Sequence, residues 1–309
     1  MQALVTGATG LLGRRLLGRL PGAVVLSRDP VKASAALPSV RAYAWSPEAG
    51  PPPAEALAGV EAVFHLAGEP VGQGRWNAER KRRIRDSRVL GTRHLVASLG
   101  ALAKPPRVLV SASAVGYYGD RGDEELDETS AAGRGFLADV CREWEREALL
   151  AEARGIRVVC ARMGIVLSAG GGVLARMLPP FRVFLGGRLG SGRQWMPWIH
   201  IDDAVGILLC AARDEAMRGP VNAVGLAPVT NAEFTRALGQ ALGRPAVMAV
   251  PGFALRAALG EMSELLTASQ RALPRVAARA GYVFRHASLA KALAAELGRA
   301  TPSPAGSSP

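Results

Sequence analysis

Gly7, Gly10 and Gly13 form the stretch GATGLLG directly after the apolar run ALVT and directly before a helical pattern. At that spacing each glycine has its own job: a tight turn, close approach of the backbone to a pyrophosphate, and close packing of the next helix on a sheet. Thr9, Leu11 and Leu12 complete the turn and open the helix, whose free N–H groups and positive potential would face the phosphates. The next strand-like run ends VVLSRD, so Ser27 and Arg28 stand where an acidic residue would bind the ribose hydroxyls of NAD. A hydroxyl and a guanidinium there suit a 2′-phosphate, and the expected cofactor is NADP. Asp29, next in line, argues the other way.

Other reactive residue types stand more alone. Cys141 falls in a helical stretch, where a thiol is either an acid or nucleophile or a small apolar packing group. His200 and Asp202 are two metal-ligand types without a third, and no metal site is expected. His65 sits within a strand-like run and reads as a core histidine with its hydrogen bonds satisfied rather than as a base. Trp195 and Trp198 adjoin a Gly-rich loop and, with Trp76, read either as cavity lining or as packing.

The elements that would position these residues alternate strand and helix, the pattern of βαβ units and a parallel sheet. ALVTG, AVVLS, EAVFHLAG, RVLVSAS and IRVVCARMG are the candidate strands, and residues 11–20, 77–102 and 135–153 the candidate helices. Past residue 164 the pattern breaks into Gly-rich and aromatic segments, then IHIDDAVGILLCAAR and PVNAVG, then a helical region from Asn231 to about Leu297. The expected fold is an α/β, Rossmann-type doubly wound parallel sheet with a smaller C-terminal cap. Its domains are 1–164 with 198–225 for NADP binding, and 165–197 with 226–298 for the substrate, followed by a disordered tail at 299–309 that is rich in Pro, Ser and Gly.

The net charge of +12 raises the question of nucleic acid. Lys32, Lys81, Lys104 and Lys291 are the only lysines among 38 basic residues, so the excess is arginine and reads as compositional bias. The run RKRRIR from Arg80 to Arg85 lies in a helical pattern with a solvated face, and no nucleic-acid-binding signature accompanies it. No apolar run reaches the roughly 20 residues of a membrane span. The chain starts strand-like, without a charged region followed by an apolar one, and Cys141, Cys160 and Cys210 form no Cys-x-x-Cys pair. A cytoplasmic protein with reduced thiols is expected, without nucleic-acid or membrane partners; a small-molecule substrate and a second copy in a homodimer are the expected partners.

With these residues placed, the chain resembles the extended short-chain dehydrogenase/reductases. FHLAG at 64–68 is similar to the fourth-strand motif that lines the cofactor, SAS at 111–113 followed by Tyr118-Gly119 to the fifth-strand serine motif, and WIHIDDAV to the late His-x-Asp-Asp segment. More narrowly, AGEPV, SASAVGYYG, FLADVCREWE, LGSGRQWMPWIHIDDAV and GEMSELLTASQRALPRVAARAGYVF resemble an atypical epimerase-like family, labelled nucleoside-diphosphate-sugar epimerase-like or cell-division-inhibitor-like. The resemblance spans residues 4 to about 297. It implies that Leu66, Ala67, Gly68, Glu69, Arg88 and Ser111 join the cofactor site, and that Ser113 is the active-site serine.

The superfamily places a catalytic Tyr and Lys four apart on one helical face, the Lys lowering the phenol's pKa and holding the nicotinamide ribose. No Tyr in this chain has a Lys four residues on. The resemblance aligns the Tyr position with Leu137 and the Lys position with Cys141, while Arg88 replaces the Asn of the long helix. Positive charge is then expected from Arg88, which cannot act as a base, and the proton from Tyr117, Tyr118, Ser113 or a water, with Cys141 the further candidate. An NADP-dependent oxidoreductase or epimerase on a small polar substrate is the expected function, and a non-catalytic NADP(H)-binding sensor the alternative.

Overall fold

Seven parallel strands form the central sheet of the protein, described by a computed structural model over residues 1–37 and 39–298; the tail 299–309 lies outside the described residues. In chain order they are β1 (Ala3–Thr6), β2 (Val24–Ser27), β3 (Arg41–Ala44), β4 (Ala62–His65), β5 (Val108–Ala114), β6 (Arg157–Met163) and β7 (Gly219–Ala223). Their order across the sheet is β7-β6-β5-β4-β1-β2-β3. Every neighbouring pair is parallel.

The apolar runs explain the strands: all four residues of β1 and all seven of β6 are buried, as strands covered on both faces must be. One face packs Val5, Phe64 and Val110 against Leu16 of helix α1 (Leu11–Leu17) and Leu208 of the late helix Ile201–Arg213. The other packs Leu4, Val63 and Leu109 against Leu95 and Leu99 of a helix spanning Ala78–Gly100, and Ala148 of one spanning Phe136–Leu149. We label these last two α2 and α3. Each fully buried Leu, Val or Phe contributes about 1.5–3 kcal/mol.

The expected doubly wound sheet is present, with two strands the sequence reading passed over. β3 (RAYA) is a half-exposed edge strand, too short for its alternation to stand out, and β7 contains Gly219 and Pro220. The region from Asn231 is also not continuously helical. Short strands Met248–Val250 and Arg271–Ala272 interrupt it by pairing with Gly187–Leu189 and Glu125–Leu126, partners far away in sequence. Residues of the cap, including Leu167, Leu174, Phe181, Phe234 and Leu293, share a separate core with Trp198. Among the described residues no helix is long and apolar enough to cross a membrane.

The chain leaves β1 toward β2 and β3, then returns to place β4 on the other flank of β1. That reversal opens a crevice at the C-terminal ends of β1 and β4, the place where open α/β sheets bind ligands. Gly7 follows β1 and Leu66 follows β4.

Candidate functional site

Two of the three glycines are required by the fold itself. Gly7 has φ +68°, and a Cβ on it would stand 2.6 Å from the Leu66 carbonyl oxygen; one on Gly13 would stand 2.4 Å from the carbonyl oxygen of Gly7. Gly10 differs: its Cβ would meet only the Gly7 carbonyl oxygen, at 3.2 Å. Gly10 and Thr9 are exposed, and Leu11 and Leu12 half-buried, at the start of α1. The open face of Gly10 therefore leaves a cradle at a helix N-terminus that a side chain would fill, and a pyrophosphate fits it by charge and by free N–H groups.

Thr6 ties the two strands of the crevice together. Its hydroxyl oxygen accepts from the backbone N–H groups of Leu66 and Ala67, both at 3.1 Å, and lies 2.8 Å from His65 Nδ1. Thr92 Oγ1 meets the other ring nitrogen of His65 at 3.0 Å. His65 is thus fully buried with both nitrogens occupied, and burial, with Arg88 nearby, pushes its pKa down to about 4.

At the end of β2, Ser27 Oγ donates to the Asp29 carbonyl at 3.0 Å and accepts from Asp29 N–H at 3.2 Å. Asp29 caps the next helix by accepting from Lys32 N–H at 2.9 Å, which accounts for an acidic residue here. Arg28 extends into solvent, 75% exposed, with its NH1 4.0 Å from Glu69 Oε2. Glu69 is held by Arg80 through a short charged hydrogen bond, and its N–H donates to Ser87 Oγ at 3.0 Å.

Arg88 lies under the end of β4. A Cβ on Gly68 would stand 3.0 Å from its guanidinium carbon, so the arginine packs tightly under this glycine. Its NH1 donates to the Glu69 and Ile84 carbonyls at 3.0 and 2.9 Å, and the guanidinium stacks 5.1 Å from the Trp144 ring. Burial lowers its pKa, opposed by Cys141 and Glu69. Cys141 is itself buried, and burial followed by Glu145 raises its thiol to about 11, so it is a neutral thiol at pH 7.

Ser113 is 3% exposed and donates its hydroxyl to Glu145 Oε1 at 2.6 Å. Arg162 grips the same carboxylate with two bonds of 2.8 Å and passes NH1 to the Tyr118 hydroxyl at 3.0 Å. Tyr118 donates to Asn222 Oδ1 at 2.7 Å, and its pKa is pushed up to about 12, by burial above all. Tyr117 lies half-buried with its ring 3.5 Å from the Arg162 guanidinium carbon. Ser111 is buried one residue pair away and bonds the Ala112 carbonyl at 3.3 Å. Leu137, at the aligned Tyr position, faces Gly116, where an added Cβ would stand 3.3 Å from the Leu137 Cβ.

Glu145 and Arg162 were missed in the sequence reading. Two signals could have found them: a charged residue inside the buried strand IRVVCARMG needs a partner, and Glu145 follows Cys141 by one helical turn on the same face.

His200 gains a third potential ligand that the sequence could not supply. His286 stacks on it with ring centroids 3.5 Å apart, and ligand atoms of His200, Asp202 and His286 lie within 4.8 Å. Nδ1 of His200 accepts from Asp202 N–H at 3.1 Å, while Nε2 lies 3.0 Å from Glu296 Oε1 without alignment for a hydrogen bond. Asp202 is also paired with Arg15, which already balances its charge. Trp76 and Trp198 are buried, with their N–H groups on the Val71 and Ala227 carbonyls; Trp195 is half-buried between Asp123 and Arg271.

Residues 3–224 match the NAD dependent epimerase/dehydratase family, and residues 250–296 match a domain of unknown function, DUF1731. An epimerase family protein of Mycobacterium leprae is 42% identical over 290 residues, 94% of this chain and 93% of its own length. The mouse epimerase family protein SDR39U1 is 38% identical over 300 residues, covering 95% and 98%. The crystal structure of human SDR39U1 (isoform 2) with NADPH superposes with a TM-score of 0.84 at 31% identity, covering 96% of this chain and 99% of that one.

Proposed function

The chain belongs to the NAD-dependent epimerase/dehydratase family, and on that premise we propose that it is an NADP(H)-dependent oxidoreductase or epimerase acting on a small polar molecule. The observation that carries this reading is the open face of Gly10 beside two glycines whose missing side chains the fold itself needs. The NADPH in the human relative supports the choice of cofactor. Gly7, Thr9, Gly10, Leu11, Leu12 and Gly13 would hold the pyrophosphate, Ser27 and Arg28 the 2′-phosphate, and Leu66 to Glu69 with Arg88 and Ser111 the nicotinamide half. NADP(H) supplies or accepts a hydride at its nicotinamide ring; Ser113 and Tyr117 would orient the substrate beside it.

Substrate-dependent oxidation of NADPH tests the enzyme, and Arg28→Ala tests the cofactor. A hydrogen bond to a charged group is worth roughly 1.5–3 kcal/mol, so Arg28→Ala weakens NADPH by about 10- to 100-fold and leaves NADH nearly unchanged. Equal affinity of the unmodified protein for both cofactors overturns the NADP assignment.

A second reading, a non-catalytic NADP(H)-responsive sensor, is favoured by one arrangement. Ser113 is buried with its proton donated to Glu145, beside a protonated Cys141. Sustained turnover of any substrate excludes it.

A further inference from the structure

Thirteen large hydrophobic side chains are exposed among the described residues, and seven of them belong to two short segments of the cap. Val183, Phe184 and Leu185 come from the first; Val247, Met248, Val250 and Phe253 from the second. The strand pairing of Gly187–Leu189 with Met248–Val250 brings the segments together, and Met248 N–H donates to the Gly186 carbonyl at 3.3 Å. Phe253 opens the helix Gly252–Leu259 just beyond. The seven side chains thus gather at one corner, larger than the scattered apolar residues normal on a soluble surface.

Within the two segments the charge has one sign. Residues 180–193 and 243–259 contain Arg182, Arg188, Arg193, Arg244 and Arg256 and no Asp or Glu. All five arginines are exposed, and none is in an ion pair among the described residues. Phe184 is also the only non-glycine residue described with positive φ, +64°. That strained backbone holds its ring outward, 51% exposed, with Arg244 4.6 Å from the ring centre.

We propose that this corner docks on an anionic lipid surface. Phe253 at 78% and Val247 at 81% exposure project from the protein rather than line a groove, a shape that suits a deformable apolar layer and not the knob of a protein partner. A second copy would bring five arginines against five, which the like charges oppose. A bilayer with anionic headgroups takes both features: apolar side chains enter the acyl boundary while the arginines stay at the headgroups. The sequence reading expected no membrane partner because no apolar run is long enough to span one. A peripheral contact at this corner departs from that expectation and needs no spanning segment.

Vesicle sedimentation tests the proposal with the full chain. The protein should pellet with vesicles of phosphatidylcholine mixed with phosphatidylglycerol and stay in solution with phosphatidylcholine alone. The triple variant Phe184→Ser, Leu185→Ser, Phe253→Ser keeps every charge and alters only exposed side chains, and should lose roughly tenfold or more of that partitioning. NADPH binding, measured in parallel, stays unchanged, which separates this test from that of the cofactor reading. Equal pelleting of the variant means general adsorption of a basic protein and overturns the proposal. Failure to pellet with anionic vesicles also overturns it, and binding of soluble polyglutamate in that case, lost in the variant, assigns the corner to an acidic protein instead.

Discussion

The Ser113 hydroxyl donates to the Glu145 carboxylate across 2.6 Å, from the end of β5 to the face of α3 that also carries Leu137 and Cys141. Leu137, Cys141 and Glu145 follow one another at steps of four along that face. Leu137 is apolar and Cys141 a neutral thiol, and the ionisable group on this face is Glu145, one turn further along the helix. A serine has one proton to donate. While Glu145 takes it, Ser113 can offer a ligand only its oxygen lone pairs.

Removing the two partners has unequal costs. Glu145 and Arg162 form a buried pair, 8% and 3% exposed at the side chain. Glu145→Ala strands the Arg162 guanidinium and should cost about 3–5 kcal/mol of stability. Ser113→Ala leaves the pair intact and should cost about 1 kcal/mol. Chemical denaturation of the two variants measures the difference, and equal costs would show that the ion pair is not what holds this part of the sheet.

What was legible in the sequence was local. The glycine loop, Ser27 and Arg28 lie within one βαβ unit, so spacing alone places them. Glu145 and Arg162 depend on a helix face meeting the neighbouring strand, and His200 meets His286 only after the cap folds back. The apolar corner at Phe184 and Phe253 joins segments some seventy residues apart through strands of three residues each, too short for their pattern to register. His65 was read as a core histidine, but the hydroxyls of Thr6 and Thr92 that satisfy it come from other elements.

The glycines should separate ligand binding from folding. Gly10→Val has room within the chain apart from the 3.2 Å approach to the Gly7 carbonyl oxygen, so the variant should fold and lose NADPH affinity by about 100-fold, as expected when phosphate hydrogen bonds are blocked. Gly13→Val has no such room, its Cβ meeting backbone at 2.4 Å, and should destabilise by about 1–3 kcal/mol or more. Calorimetric titration of NADPH with thermal denaturation distinguishes them. Unchanged affinity in a folded Gly10→Val protein would remove the pyrophosphate site from this loop.

Acid should destabilise the protein through His65. Its native pKa is about 4 against 6.5 for the free side chain, so below pH 6.5 the unfolded chain binds a proton that the native state refuses. The stability it contributes is complete above pH 6.5 and is lost as pH falls toward 4, by at most about 3 kcal/mol. His200, lowered by burial and His286, adds to the same window. Aspartates and glutamates with depressed values act lower, below their unfolded range near 4. His65→Gln should flatten the stability profile between pH 6.5 and 5, and an unchanged slope would mean the imidazole is not the sensitive group.

Arg88 and position 141 should tolerate only one cation between them. The guanidinium of Arg88 is fixed by the Glu69 and Ile84 carbonyls over Trp144, close enough to Cys141 for each to shift the other's pKa. Cys141→Lys would bury an ammonium beside it, and like charges out of water repel strongly. That single change should cost about 3 kcal/mol or more. Arg88→Asn alone removes the stacking and the two carbonyl bonds and should weaken NADPH about tenfold, if the guanidinium serves the nicotinamide half. In the double variant the lysine takes over the cationic position, so the stability cost should be smaller than the sum of the two single stability costs by at least about 1 kcal/mol. Denaturation of all four proteins closes the cycle. Additive costs would mean that the two sites do not share one charge, and that the paired departure from the Asn and Lys pattern has another cause.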